Sequence, residues 1–521
     1  MSKASATSTI SLSDLFAAPT FRQQGHAMID FLADYLNQIQ EKPDSIPVLP
    51  ARFPSVDWHQ QQQMNWPKLA LEGLASKQST HTLPSMIAPL LAQSNHLHHP
   101  GYIGHQVSVP LPLAVIIHTL TSLLNNGSAV FEMGPVNTIL EHRVIEWMNH
   151  WVCLDTEYVA EHRGGYLTSG GSVGNLSALQ IARLHYEQQH EITLNNSEKA
   201  LAPCILVSEQ AHYCIQRAAR MMGLGNAGVI AIETDSHFRM SLPHLKKTIQ
   251  DCQHQSRPVL AVVGSACTTA TGSYDPLEAT AEICRENRLW FHVDGAHGAS
   301  ALISQRYRHL LKGIEHADSI VWDAHKMLQM PALVTGVLFK DKHLAYLNDP
   351  TSAAYLLEGK EAAEHTPEYA FDLAHQTLEC TKTMMATPLY TCLQHYGVKP
   401  FQDHIENTYS RCQDFAEWLQ QQPDFELPVL PQSNIVCFRY IPDFAFSNDQ
   451  INAFQGWLRE EIIASGQYYL VKTTLNGKVY LRLTLMNPLT TSADLIQMID
   501  TLREIARSDR PLTQGQNEVP Q

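Results

Sequence analysis

Two stretches decide how this chain is read: Leu289-Trp290-Phe291-His292-Val293-Asp294-Gly295-Ala296-His297-Gly298 and Ser319-Ile320-Val321-Trp322-Asp323-Ala324-His325-Lys326-Met327-Leu328. Each opens as a mostly apolar run and closes on charged groups. Short apolar runs of this kind suit strands covered on both faces. A carboxylate or an ammonium at the end of such a run is costly to bury unless something pairs with it. The two stretches therefore predict neighbouring strands that bring Asp294 and Lys326 to one edge of a sheet. Asp294 could instead cap the next segment, and a lone lysine at a strand end is usually a surface residue.

Outward from this pair, strands and helices alternate between residues 165 and 325. Strand-like runs occur at 165–168, 204–209, 228–233 and 259–266, and helical runs at 174–188, 212–223, 242–253 and 275–287. Such alternation predicts βαβ units and a mostly parallel sheet, with ligands at the carboxyl ends of the strands. Toward the N-terminus, Met28, Ile29, Phe31, Leu32, Tyr35 and Leu36 recur at helical spacing, and Met86–Leu91 reads as a further helix. The proline-rich stretch from Glu41 to Trp58 reads as extended, and residues 1–20 and the tail after Arg507 as loosely held. Gln106–Phe131 carries no Lys, Arg, Asp or Glu. Two prolines, His118 and Asn125-Asn126-Gly127 interrupt it, so it predicts a buried helix rather than a membrane span. After residue 400 helices and strands mix as in a smaller α+β domain. The expected segments are 1–105 (helical), 106–400 (large domain) and 401–521 (small domain).

Composition narrows the function. The 521 residues include 36 Lys and Arg against 51 Asp and Glu, a net charge of −15. Nucleic acid is a poor partner for such a surface. Ten cysteines without a C-x-x-C pair argue against a zinc ribbon or a disulfide scaffold and for a reducing cytoplasm. His96, His98, His99 and His105 cluster, but nearby carboxylates are missing, so no metal site is expected.

Further residues at strand ends carry chemistry. Gly170-Gly171-Ser172-Val173-Gly174-Asn175 links a strand to a helix. Glycines permit close approach and a helix N-terminus attracts anions, so this turn suits a phosphate, although many such turns hold no ligand. His212 could stack on a flat ring or simply begin a helix. The hydroxyls of Thr268 and Thr269 could bond a phenolic oxygen or cap their turn. Lys326, flanked by apolar residues, should have its ammonium pKa lowered by burial, which would suit Schiff-base chemistry. Phosphate cup, histidine, threonine pair, Asp294 and Lys326 are the parts a pyridoxal 5′-phosphate site needs.

With these residues in view, the chain resembles the group II pyridoxal-phosphate-dependent amino-acid decarboxylases, which include glutamate, aromatic, cysteine-sulfinate and 2,4-diaminobutyrate decarboxylases. The resemblance runs from about residue 20 to 505 through HPGYIGHQ (99–106), FEMGPVNTILE (131–141), SGGSVGNLSAL (169–179), SEQAHYCIQRAA (208–219), TTATGSYDP (268–276) and VYLRLTLMNPLTT (479–491). It implies a fold-type I α/β enzyme whose large domain binds the cofactor. Lys326 would carry the cofactor, Asp294 pair with its pyridine nitrogen, and His212 stack on its ring beside Ala296. Ser172, Val173, Gly174 and Asp323 would hold its phosphate, and Thr269 would approach its phenolic oxygen. His325 would neighbour the lysine, Arg482 would clamp a substrate carboxylate, and His105 and Gln106 would stand at the side-chain pocket. Tyr369 would return a proton from a mobile loop. The expected product is an amine from a small acidic amino acid; diaminobutyrate, aromatic substrates or an aminotransferase are the alternatives. The resemblance also implies a homodimer with the site at the subunit interface, a small-molecule substrate and no membrane or nucleic-acid partner. Here Asp323 stands where the family often has Asn, and His297 where it usually has Tyr or Trp.

Overall fold

The computed structural model describes residues 18–49, 83–194, 202–348, 372–442 and 447–508. It divides into two compact units, Met1–Gly104 with Ser447–Lys472 and Leu489–Gln521, and His105–Phe446 with Thr473–Pro488. The units are not consecutive in sequence. Segments 447–472 and 489–521, expected in a C-terminal domain, fall with the N-terminal residues. The smaller unit begins with α1 (Ala18–Glu41) and α2 (Leu83–Ala92). The stretch expected to be extended is described only as far as residue 49, where Pro43–Ser45 forms a single 3-10 turn.

The larger unit opens with α3 (Pro112–Leu124) and α4 (Pro135–Cys153). Both start on proline, whose fixed φ and missing N–H suit a first turn. α3 is the helix expected between Gln106 and Phe131, but it is not buried. Ala114 and Thr121 face inward, whereas Ile116 and Leu123 are 59% and 64% exposed.

The alternation then follows as expected: β1 (Gly164–Thr168), α5 (Gly171–Gln189), β2 (Cys204–Ser208), α6 (Cys214–Met221), β3 (Val229–Ile232), α7 (Leu242–His254), β4 (Val259–Ser265), α8 (Leu277–Asn287), β5 (Trp290–Asp294) and β6 (Ser319–Asp323). β7 (Thr335–Phe339) was not anticipated. The sheet order is β1-β7-β6-β5-β4-β2-β3. Neighbours from β3 to β6 are parallel, and β7 is antiparallel to both β1 and β6. Every residue of β2, β4, β5 and β6 is buried, which is why these strands read as unbroken apolar runs.

Register places the chemistry. Ser265 pairs with Asp294 across β4 and β5, and Asp323 pairs with Thr335 across β6 and β7. The carboxyl ends of β4, β5 and β6 thus meet the start of β7 at one edge. α9 (Ala386–Tyr396) packs on α3 and α4, and α10 (Lys399–Gln420) follows. β8 (Phe425–Glu426) and β9 (Ile435–Tyr440) come next. The smaller unit resumes with α11 (Asn448–Ala464), whose Ser447 and Gln450 form a reciprocal capping box. β10 (Val471–Leu475) and β11 (Lys478–Thr484) complete a four-stranded sheet in the order β10-β11-β9-β8, and α12 (Ser492–Ser508) ends the described chain.

Candidate active site

The strand ends enclose a cavity of about 320 Å³. Of the residues expected from the sequence, Ser172, His212, Thr269, Asp294, Ala296, Asp323, His325 and Lys326 line it.

Lys326 lies just past β6, on the loop that returns into β7. Its Nζ is 3.2 Å from Oδ2 of Asp323, and its side chain keeps 21% of its surface exposed. Burial alone would lower the ammonium pKa, as expected from the sequence. Asp323, Asp294 and Cys267 oppose burial, and the net result is a pKa raised above the ordinary lysine value. The resting amine is therefore held as a cation. The loop is fixed at both ends. Thr335 Oγ1 donates to Asp323 Oδ1 at 2.6 Å, and the amide of Gln329 donates to the carbonyl of Lys326 at 3.1 Å.

Residues near the expected pocket segment 105–106 brace this loop from outside. Ser108 Oγ donates to the His325 carbonyl at 3.0 Å, and the amide of Leu111 donates to the Gln329 carbonyl at 2.9 Å. His105 and Gln106 do not line the cavity. Their stretch supports the lysine loop, and the sequence motif did not separate that role from substrate contact.

Asp294 ends β5, with Oδ1 accepting from the Ala296 amide at 3.3 Å. His212 sits across the cavity. The Cys214 amide donates to its Nδ1 at 3.3 Å, which leaves the ring proton of the neutral form on Nε2. Burial, opposed by Asp294 and helped by Lys326, lowers its pKa below the usual imidazole value.

The glycine turn is built for an anion. Gly170 has φ +98°, a conformation that favours glycine, and a Cβ on Gly171 would stand 3.1 Å from Asp323 Oδ2 and 3.4 Å from Ala296 Cβ. Among the described residues the amides of Gly171 and Ser172 have no hydrogen-bond partner. Val173 and Gly174, expected to hold the phosphate, donate their amides to the Gly170 carbonyl at 3.1 Å and do not line the cavity. Gly174 instead lets α5 sit close on the sheet, where a Cβ would meet Val321 and Thr335 at 3.2 and 3.3 Å. The expected phosphate role of Asp323 also changes, since a carboxylate repels an anion; its bonds go to Lys326 and Thr335.

Several contributors were not anticipated. A directed chain runs behind the cup. The Trp290 indole donates to Ser319 Oγ at 2.9 Å, and Ser319 Oγ to His292 Nδ1 at 2.8 Å. His292 Nε2 then donates to Asn175 Oδ1 at 2.7 Å, and Asn175 Nδ2 to the Gly171 carbonyl at 2.8 Å. Burial pushes His292 down to about 4, so the ring stays neutral and the chain keeps its direction. Glu379 anchors the other side of the turn, accepting from the hydroxyls of Thr168 and Ser169 at 2.5 Å. Only tertiary contact reveals Glu379, because it lies far along the chain from the turn. Arg482 is buried and donates Nη1 to the Thr269 carbonyl at 2.8 Å, one residue back from the cavity wall. Tyr369 lies outside the described residues. In the smaller unit, His96 bonds the Tyr35 hydroxyl at 2.8 Å, and His99 bonds the Pro43 carbonyl at 3.1 Å and the Gly101 amide at 3.0 Å.

The profile of the pyridoxal-dependent decarboxylase conserved domain matches residues 81–441. The chain belongs to the pyridoxal-dependent decarboxylase family. It is 30% identical over 477 residues to the aspartate 1-decarboxylase of Aliivibrio fischeri, covering 82% of this chain and 83% of that one. It is 27% identical over 494 residues to the aromatic-L-amino-acid decarboxylase of Bacillus atrophaeus, covering 94% and 96%. In fold it is similar to the solved Oryza sativa TDC with PLP and tryptamine, at TM-score 0.81, 21% identity and coverage of 94% and 98%. As a pyridoxal-dependent decarboxylase the protein is a carboxy-lyase whose cofactor is pyridoxal 5′-phosphate. The residues present fit that group. Two unpartnered amides at a helix N-terminus suit its phosphate, Asp294 its ring nitrogen, Lys326 its aldehyde and His212 a ring face.

Proposed function

We propose that this decarboxylase releases carbon dioxide from a small acidic L-amino acid (aspartate, glutamate or cysteine sulfinate) and works as a cytoplasmic homodimer. The observation that carries the reading is a Lys326 ammonium 3.2 Å from Asp323 on the wall of the cavity that Asp294 and His212 also line.

When bound, the cofactor supplies an electrophilic carbon for the substrate nitrogen and a protonated ring that accepts the electron pair left as carbon dioxide departs. The chain's residues do the rest. The Gly171 and Ser172 amides and the α5 dipole hold the phosphate. Asp294 keeps the ring nitrogen protonated. Arg482, behind Thr269, fixes the substrate carboxylate. Partial exclusion of water around that carboxylate favours its loss as a neutral molecule. His212, with its proton on Nε2, or Tyr369, returns a proton to Cα.

An acidic substrate is supported by FEMGPVNTILE, which is closer to the glutamate and cysteine-sulfinate type, and by the relative named for aspartate. The relative named for aromatic amino acids covers more of the chain and gives the second reading. Purified protein loaded with pyridoxal phosphate should release carbon dioxide from at least one of the three acidic substrates. Release from aromatic amino acids or 2,4-diaminobutyrate alone overturns the substrate reading, and product formation only with an added keto acid would make the enzyme an aminotransferase. A second copy is supported by exposed apolar residues, Ile116, Leu120 and Leu123 on α3 and Val136 and Ile139 on α4. Sedimentation at micromolar concentration should give twice the chain mass. Cytoplasmic residence is supported by unpaired cysteines and by described helices none of which is long and apolar enough to cross a membrane.

A further inference from the structure

His297 lines the cavity and has no part in the scheme above. It is 3% exposed. Its protonation is set by a neighbour two bonds away. Asn434 Nδ2 donates to the Leu485 carbonyl at 2.9 Å, which fixes the amide with Oδ1 toward His297. Oδ1 only accepts, so His297 Nε2, 2.7 Å away, must donate. The neutral ring then carries a lone pair on Nδ1. That atom is buried and has no hydrogen-bond partner among the described residues. Burial, with the fields of Lys326 and Arg482, pushes its pKa down to about 3, so the lone pair stays available. An acceptor kept buried and unused destabilises the fold. Such a group persists on a cavity wall when a ligand brings the donor.

The ligand must bring an N–H or O–H. The reaction itself offers the right chemistry. With the cofactor bound, exchange of amines would break the bond from its carbon to the Lys326 nitrogen as one forms to the substrate nitrogen. The incoming ammonium would give up its N–H protons as the departing lysine nitrogen takes them up, and nothing would be oxidised or reduced. At each stage one of these two nitrogens is off the cofactor with N–H groups to place.

We propose that Nδ1 of His297 accepts a hydrogen bond from the amine not joined to the cofactor, first the substrate's amino group and then the displaced Lys326, so that His297 is a positioning residue for amine exchange. The inference rests on the functional reading above. It depends on the histidine at position 297.

The test uses holoenzyme and aminooxyacetate, a small carboxylate-bearing amine that displaces the lysine whatever the natural substrate is. The readout is the rate at which the visible band of the bound cofactor is lost, at equal cofactor content. Loss of one hydrogen bond predicts that His297→Phe slows this rate about tenfold. An asparagine amide oxygen falls near the place of Nδ1, and a glutamine amide near that of Nε2. His297→Asn should therefore recover most of the rate and His297→Gln should not. Recovery by Gln and not Asn would mean that only the Asn434 contact matters, and an unchanged rate in His297→Phe would equally overturn the inference. If His297→Phe does not load cofactor, the Asn and Gln variants decide. A wild-type band that aminooxyacetate leaves untouched removes the functional reading, and this inference with it.

Discussion

Two lysine–carboxylate pairs in the larger unit share their chemistry and differ in their surroundings. Glu141 and Lys382 are sealed, with side chains 1% and 0% exposed. The same Glu141 oxygen also accepts the Leu167 amide at 2.7 Å, and the Lys382 ammonium lies 5.9 Å from the centre of the Tyr166 ring. Asp323 and Lys326 have the same kind of contact, but a cavity reaches the lysine. Where both partners are enclosed, the pair can only brace α4 against β1 and the segment after Asp372. Where one partner is accessible, a ligand in the cavity can reach the amine. A third pair, Glu426 with Lys478 at 3.0 Å, is about two-fifths exposed and completes the series.

The largest effect separates the first two pairs by function. Lys326→Ala should abolish the visible band of the loaded protein and lower carbon dioxide release by about 10³-fold or more. Lys382→Met should leave the band intact in whatever protein folds. Retained turnover in Lys326→Ala would defeat the assignment.

The next effect separates them by stability. Lys382→Met leaves a buried carboxylate unpaired and should cost about 3–5 kcal/mol in urea denaturation, with Lys382→Met/Glu141→Leu costing less than the single change. A single-variant cost near zero would show that the sealed pair braces nothing.

A third test concerns protonation. The Lys326 pKa stands above its ordinary value of 10.5, so its attraction to Asp323 and Asp294 is fully present below that pH and is lost as pH rises through the folded-state pKa. Capture of pyridoxal phosphate needs the neutral amine. Its rate in the cofactor-free protein should rise with pH across the neutral-to-alkaline range, and Asp323→Asn should move that rise to lower pH. Stopped-flow absorbance measures both, and an unmoved profile would exclude Asp323 as the group holding the proton.

The smallest effect belongs to the third pair. Lys478→Ala should change stability by about 0.2–1 kcal/mol, because water screens a pair of this exposure. The Lys478 and Tyr480 side chains hold the Glu426 carboxyl below its usual pKa against burial. This contribution is present above the free-chain pKa and fades as pH falls through the folded value.

The sequence made the parallel strands legible because β2, β4, β5 and β6 are buried on both faces and so consist of little but apolar residues. The same logic made Asp294 and Lys326 conspicuous, since each interrupts such a run at its end. β7 escaped because its five residues follow a loop without helical pattern, and nothing local states that a strand will run backward. The pKa of Lys326 was misjudged because burial is visible in flanking residues, whereas the approach of Asp323 depends on how the loop turns back and that of Asp294 on register between strands. Val173 and Gly174 were over-assigned because a motif names a turn without saying which amides the turn itself consumes. α3 looked buried because sequence hydropathy does not distinguish a core helix from one whose apolar residues stay exposed.

The reversed direction of β7 has a consequence for how this enzyme tolerates change. Because β7 returns beside β6, the span between Asp323 and Thr335 is a closed bridge riveted at both abutments by one hydroxyl–carboxylate bond. An added residue there cannot be absorbed by slack and would displace the amine itself. The same addition in the connection after β3, none of whose residues lines the cavity, would leave the chemistry where it is.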